Sequence, residues 1–134
     1  MKTILVVDDE YALVETLVEL LQDEGYRAVS AANGLDALDR LQKEKPDLIL
    51  TDNMMPIADG KEFIRGVRAL EEYRNTPLVM MSSSPKHVAL ANGAGREIEV
   101  SAFLAKPFLV ENLLDLVEAL IGKADDGTGE QSRH

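Results

Sequence analysis

Five apolar runs punctuate the chain, and four of them stop at a charged or hydroxyl residue. Ile4-Leu5-Val6-Val7 meets Asp8-Asp9, and Leu48-Ile49-Leu50-Thr51 meets Asp52. Leu78-Val79-Met80-Met81 meets Ser82, and Phe103-Leu104-Ala105 meets Lys106-Pro107. These runs are apolar at every position rather than at every second one. That pattern predicts parallel strands buried on both faces. The strands fall at about residues 2–7, 26–31, 47–51 and 102–105, with the fourth opened by Pro77 and carrying the run Leu78–Met81.

Between them the apolar period changes to that of a helix. Leu13, Val14, Leu17, Leu20 and Leu21 make a stripe over 10–24 that Gly25 closes. Asn33-Gly34 reads as a turn, after which Ala37, Leu38 and Leu41 line a second helix ending before Lys45-Pro46. Residues 53–60, with Pro56 and Asp59-Gly60, read as a loop, and Phe63, Ile64, Val67 and Leu70 mark a third helix. Ser84-Pro85 reads as the cap and first residue of a fourth helix, because serine is favoured just before a helix and proline at its first position. The segment 93–100 carries no clear pattern. Val110, Leu113, Leu114, Val117, Leu120 and Ile121 mark the last helix, and the polar stretch 123–134 reads as a disordered tail. Five strands alternating with five helices predict an α/β domain over 1–122. Right-handed crossovers would place helices on both faces of its sheet.

Composition narrows the function. A net charge of −10 argues against direct nucleic acid binding, which needs a basic face. The chain has no cysteine, so disulfides and thiolate metal sites are excluded. No apolar stretch approaches the ~18 residues of a membrane span, and the first residues do not form a signal peptide.

In an open α/β sheet, ligands bind outside the carboxyl ends of the strands. Asp8, Asp9, Asp52, Ser82 and Lys106 are expected to meet there. Two carboxylates about 4 Å apart repel by roughly 4 kcal/mol at an effective dielectric of 20. Three such pairs would cost on the order of 10 kcal/mol, as much as a whole domain's stability. The cluster therefore implies a cation among the three acids, or a proton held on one of them. An oxygen-only donor set suits Mg2+, with Mn2+ able to substitute, and suits Zn2+ poorly. The simpler alternative is that Asp8 and Asp9 cap the first helix and Asp52 opens a turn. A cation, a carboxylate, an ammonium and a hydroxyl together are the apparatus for holding a phosphoryl group on an aspartate.

These residues carry a resemblance. Val6-Val7-Asp8-Asp9-Glu10, Thr51-Asp52-Asn53-Met54-Met55-Pro56 with Asp59-Gly60, Met80-Met81-Ser82-Ser83 and Phe103-Leu104-Ala105-Lys106-Pro107-Phe108 stand in the order and at the separations of a receiver domain. The chain thus resembles the receiver domains of two-component response regulators, of the chemotaxis-regulator type, over residues 2 to about 121. The resemblance implies a flavodoxin-like, doubly wound five-stranded parallel sheet in the order 2-1-3-4-5. It implies that Asp52 is the phosphoacceptor and that Asp8, Asp9, Asp52 and the backbone carbonyl of Met54 hold Mg2+. Lys106 would pair with phosphoryl oxygens, Ser82 would hydrogen-bond them, and Ser82 and Phe103 would form the switch. Phe103 stands where tyrosine is common in the family. A cis peptide before Pro107 is also implied.

The implied partners are a sensor histidine kinase or a histidine phosphotransfer protein, and a downstream effector protein. The implied setting is cytoplasmic, with no direct contact to nucleic acid or membrane. The implied assembly is a monomer, or a weak dimer through the surface of the fourth helix, fifth strand and fifth helix. Such a domain is a switch rather than an enzyme acting on an external substrate. Two other readings compete with it. A Mg2+-dependent phosphohydrolase would need a cap or insertion for substrate, for which there is no spare length. A phosphorylation-independent interaction module would be expected to have lost some of the polar positions that are all present. A serine hydrolase is disfavoured, since His87 has no G-x-S-x-G elbow to partner.

Overall fold

The computed structural model describes residues 2–52, 60–82, 101–106 and 108–122. Five parallel strands form one sheet in the order β2-β1-β3-β4-β5. They are β1 (Thr3–Val7), β2 (Arg27–Ala31), β3 (Leu48–Asp52), β4 (Leu78–Ser82) and β5 (Ala102–Ala105). Helices α1 (Tyr11–Asp23), α2 (Gly34–Glu44) and α3 (Gly60–Ala69) follow the first three strands, and a last helix (Val110–Ile121) follows β5. This is the doubly wound sheet and strand order expected from the sequence. Met54, the helix expected from Pro85, the segment 93–100, Pro107 and the stretch 123–134 lie outside the described residues.

The unbroken apolar runs are explained by two cores. Successive side chains of a strand point to opposite faces. Ile4, Val6, Leu48, Leu50, Val79 and Met81 pack on one face, beneath α1 and the last helix. Leu5, Val7, Ile49, Leu78 and Met80 pack on the other, beneath α2 and α3. Every residue of β1, β3 and β4 is buried. Among the described residues no helix is long and apolar enough to cross a membrane.

Two local expectations are corrected. Asn33-Gly34 is not a free turn: Asn33 is the N-cap of α2, and its Oδ1 accepts the Asp36 N–H at 2.9 Å. Asp36 returns the favour by accepting the Ala32 N–H at 3.2 Å, so two otherwise unsatisfied donors are met. Leu70, expected in the third helix, lies beyond it. α3 ends at Ala69, and Leu70 begins a short 3-10 turn over Glu71–Tyr73. Arg68 holds that turn from α3, its Nη1 donating to the carbonyls of Tyr73, Arg74 and Thr76 at 2.8, 3.1 and 2.8 Å. Tyr73 is buried, and its hydroxyl donates to the Leu41 carbonyl at 2.5 Å, tying the turn to α2.

The last helix is tied down as well. Tyr26 donates its hydroxyl to the Gly122 carbonyl at 2.8 Å, and the Lys2 ammonium donates to that of Ile121. Both carbonyls lie at the helix end, where no intrahelical donor remains for them.

Candidate functional site

The parallel ladder itself delivers the polar residues to one rim. Asp8 is the next residue after β1, and its N–H continues the ladder to the Ala31 carbonyl at 3.2 Å. Asp52 and Ser82 are the last residues of β3 and β4. Lys106 follows β5, and its N–H bonds the Ser82 carbonyl at 2.7 Å. Asp8, Asp52 and Ser82 are buried, while Asp9 is exposed.

The three acids converge. Asp8, Asp9 and Asp52 each offer a carboxylate oxygen, and these oxygens all lie within 4.8 Å of one another. Lys106 meets two of the three. Its ammonium is 2.8 Å from Asp8 Oδ2 and 2.9 Å from Asp52 Oδ1. The other oxygen of Asp8 accepts the Glu10 N–H at 3.0 Å. Neither Asp8 nor Asp9 is the cap of α1: the N-cap is Glu10, whose side chain makes no capping bond, and Asp8 only accepts that residue's backbone N–H.

The electrostatics of this arrangement are unequal. Burial opposes the charge on Lys106, but hydrogen bonds to Asp8 and Asp52, reinforced by their charges, outweigh it and hold the ammonium above its ordinary pKa. One cation among three carboxylates leaves an excess of two negative charges. An all-oxygen donor set carrying that excess fits a hard divalent ion such as Mg2+. Asp9, the exposed member, provides the open side of such a site.

The expected residues that the structure describes can now be placed. Asp8, Asp9, Asp52 and Lys106 are brought together, and Ser82 ends the adjoining strand. Phe103 is half-buried in β5 and packs against the core beneath α2 and α3. Met54 and Pro107 fall outside the described residues. Two contacts were missed from the sequence. One is the direct pairing of Lys106 with Asp8, and the other is the approach of Glu10 to within 3.9 Å of the same ammonium. The acidic run Asp8-Asp9-Glu10 was the signal for the second.

Known proteins share this fold and much of this sequence pattern. The profile of the response regulator receiver domain matches residues 4–118. The sporulation initiation phosphotransferase F of Bacillus subtilis is 35% identical over 115 residues, covering 86% of this chain and 90% of that protein. Other curated relatives are longer response regulators, and the chain spans 54–55% of their length. Among solved structures, the chemotaxis protein CheY4 of Vibrio cholerae superposes with a TM-score of 0.79 at 33% identity, covering 90% of this chain and 99% of that one. The response regulator TrrA of Thermotoga maritima, solved in complex with Mg2+ and BeF, superposes with a TM-score of 0.78 at 29% identity, covering 90% of this chain and 100% of that one.

Proposed function

This chain belongs to the response regulator receiver domain family, and from that premise we propose that it is a phosphorylation switch with Asp52 as its phosphoacceptor. The phosphoryl group comes from the histidine of a sensor kinase or of a phosphotransfer protein, and an effector protein reads the result. The setting is the cytoplasm, where the chain meets its kinase. The observation that carries this reading is the single ammonium of Lys106 shared between Asp8 and Asp52, with Asp9 open beside them.

Asp8, Asp9 and Asp52 would hold Mg2+, with the Met54 carbonyl as a further ligand. When bound, the ion neutralises the negative charge that gathers on the phosphoryl oxygens during transfer. The chain's own residues do the rest. A carboxylate oxygen of Asp52 attacks phosphorus as the bond to the histidine nitrogen breaks. Asp52 then loses its free carboxylate, and Lys106 turns from it to the phosphoryl oxygens without leaving the rim. Ser82, at the end of β4, donates its hydroxyl to the same group. Phe103 on β5 then turns inward, which alters the surface that the effector meets.

The test is intact-mass analysis after incubation with acetyl phosphate. One phosphoryl group is expected, only when Mg2+ is present, and none on the Asp52→Asn protein. Full phosphorylation of Asp52→Asn would overturn the assignment.

A further inference from the structure

A cleft of about 270 Å3 opens beside the acidic cluster, between α1 and the end of β2. Val14, Val18 and Ala31 form its apolar part. Asp8 and Asp9 border it, as do Tyr11 and Glu15 of α1. Among its lining residues there is no cation. Asp8 is already committed to Lys106 and to the Glu10 N–H, and Asp9 to the proposed Mg2+ site, but Glu15 is exposed. Tyr11 is 74% exposed, so its ring is open to a partner. Its hydroxyl donates to Glu15 Oε2 at 2.9 Å, which pairs the ring and the carboxylate at i and i+4 on one helix face.

Aliphatic floor, aromatic face and the open carboxylate of Glu15 together describe a receptor for a cation on an apolar stem. We propose that this cleft receives an arginine side chain of a partner protein, its stem on Val14 and Val18 and its guanidinium between Tyr11 and Glu15. Arginine fits better than lysine. A planar guanidinium stacks on a ring and presents several donors at once, whereas an ammonium is a single, strongly hydrated point charge. The net charge of −10 favours approach of a basic partner surface. The inference rests on the proposed switch only in taking its occupant from a protein that docks at this rim. It goes further in naming the side chain that docks.

The test is an NMR titration of the 15N-labelled full chain with N-acetyl-arginine amide, in saturating Mg2+. Saturable shifts are expected at Tyr11, Val14, Val18 and Ala31. Tyr11→Ala, Glu15→Gln and replacement of the probe by its neutral citrulline analogue should each weaken binding about fivefold or more, the scale of one exposed ring or ion-pair contact. The absence of saturable shifts would overturn the proposal, as would equal binding of citrulline. Shifts that appear only without Mg2+ would also overturn it, because the guanidinium would then merely occupy the place of the metal. The titration contains no phosphodonor, so it reads the cleft independently of any uptake at Asp52. Failure here is therefore separable from failure of the phosphoacceptor assignment.

Discussion

The ammonium of Lys106 stands 2.9 Å from a carboxylate oxygen of Asp52, a residue 54 positions away along the chain. The same ammonium is 2.8 Å from Asp8. Both acids are largely withdrawn from water, so Lys106 is a structural counter-ion before any phosphoryl group arrives.

Lys106→Met should therefore cost stability as well as switching. Leaving two buried carboxylates without their cation is expected to destabilise the metal-free protein by about 2–3 kcal/mol. Mg2+ should bind this variant more tightly than wild type and restore most of the loss, since binding to the folded state alone stabilises it. Denaturant unfolding with and without Mg2+ checks both parts. A loss of equal size in the two conditions would show that the ammonium and the ion do not share the site.

Asp9 should behave in the opposite way. It is exposed, so Asp9→Asn is expected to change metal-free stability by less than about 0.5 kcal/mol. Its effect should fall on Mg2+ affinity, by about tenfold or more, equivalent to about 1.4 kcal/mol. Calorimetric titration of wild type and variant separates the two quantities.

Tyr73 predicts an alkaline limit. Burial, with the nearby charges of Glu72 and Asp47, raises its phenol above the ordinary tyrosine value of about 10. The fold thus favours the neutral phenol. Its contribution is complete below pH ~10 and declines as pH rises through the folded value, because the unfolded chain gives up its proton first. Tyr73→Phe should cost about 1 kcal/mol at neutral pH through the lost bond to the Leu41 carbonyl. It should also flatten the loss of stability above pH ~10. Urea unfolding at pH 7, 9 and 10.5 measures both.

Asn33→Ala tests the cap of α2. A lost N-cap is expected to cost about 1 kcal/mol, whereas Asn33→Gly should cost only a few tenths. Equal and negligible effects of the two would return this position to the turn that its sequence suggested.

The sheet was legible because its message is redundant. Each apolar run is long enough to be a strand, and four of the five end on a residue that burial alone would exclude. The convergence of Asp8, Asp9 and Asp52 follows once the runs are laid side by side. What escaped were contacts made by single side chains over a distance. Asparagine is favoured both in turns and at helix caps, and only the bond to Asp36 decides between them. Leu70 continues the apolar period of α3, yet the three carbonyls gathered by Arg68 mark a turn there. The pairing of Lys106 with Asp8 spans 98 positions and leaves no local pattern.

The double-sided burial of β3 has a consequence for how the sheet is indexed. Leu48, Ile49 and Leu50 are all fully buried, so sliding the strand by one residue would exchange one oily side chain for another. Hydrophobicity therefore cannot tell the correct frame from its neighbour. The ends can. Asp47 accepts the Thr3 N–H at 2.8 Å and donates its own N–H to the Thr3 carbonyl at 2.7 Å, while Asp52 meets Lys106 at the far end. A slip of one step would put Thr51 where Asp52 belongs and break both fastenings. The charged residues at the rim thus serve as the ruler by which the strands are aligned. A variant chosen to silence the site must be checked for sheet alignment before its silence is credited to lost chemistry.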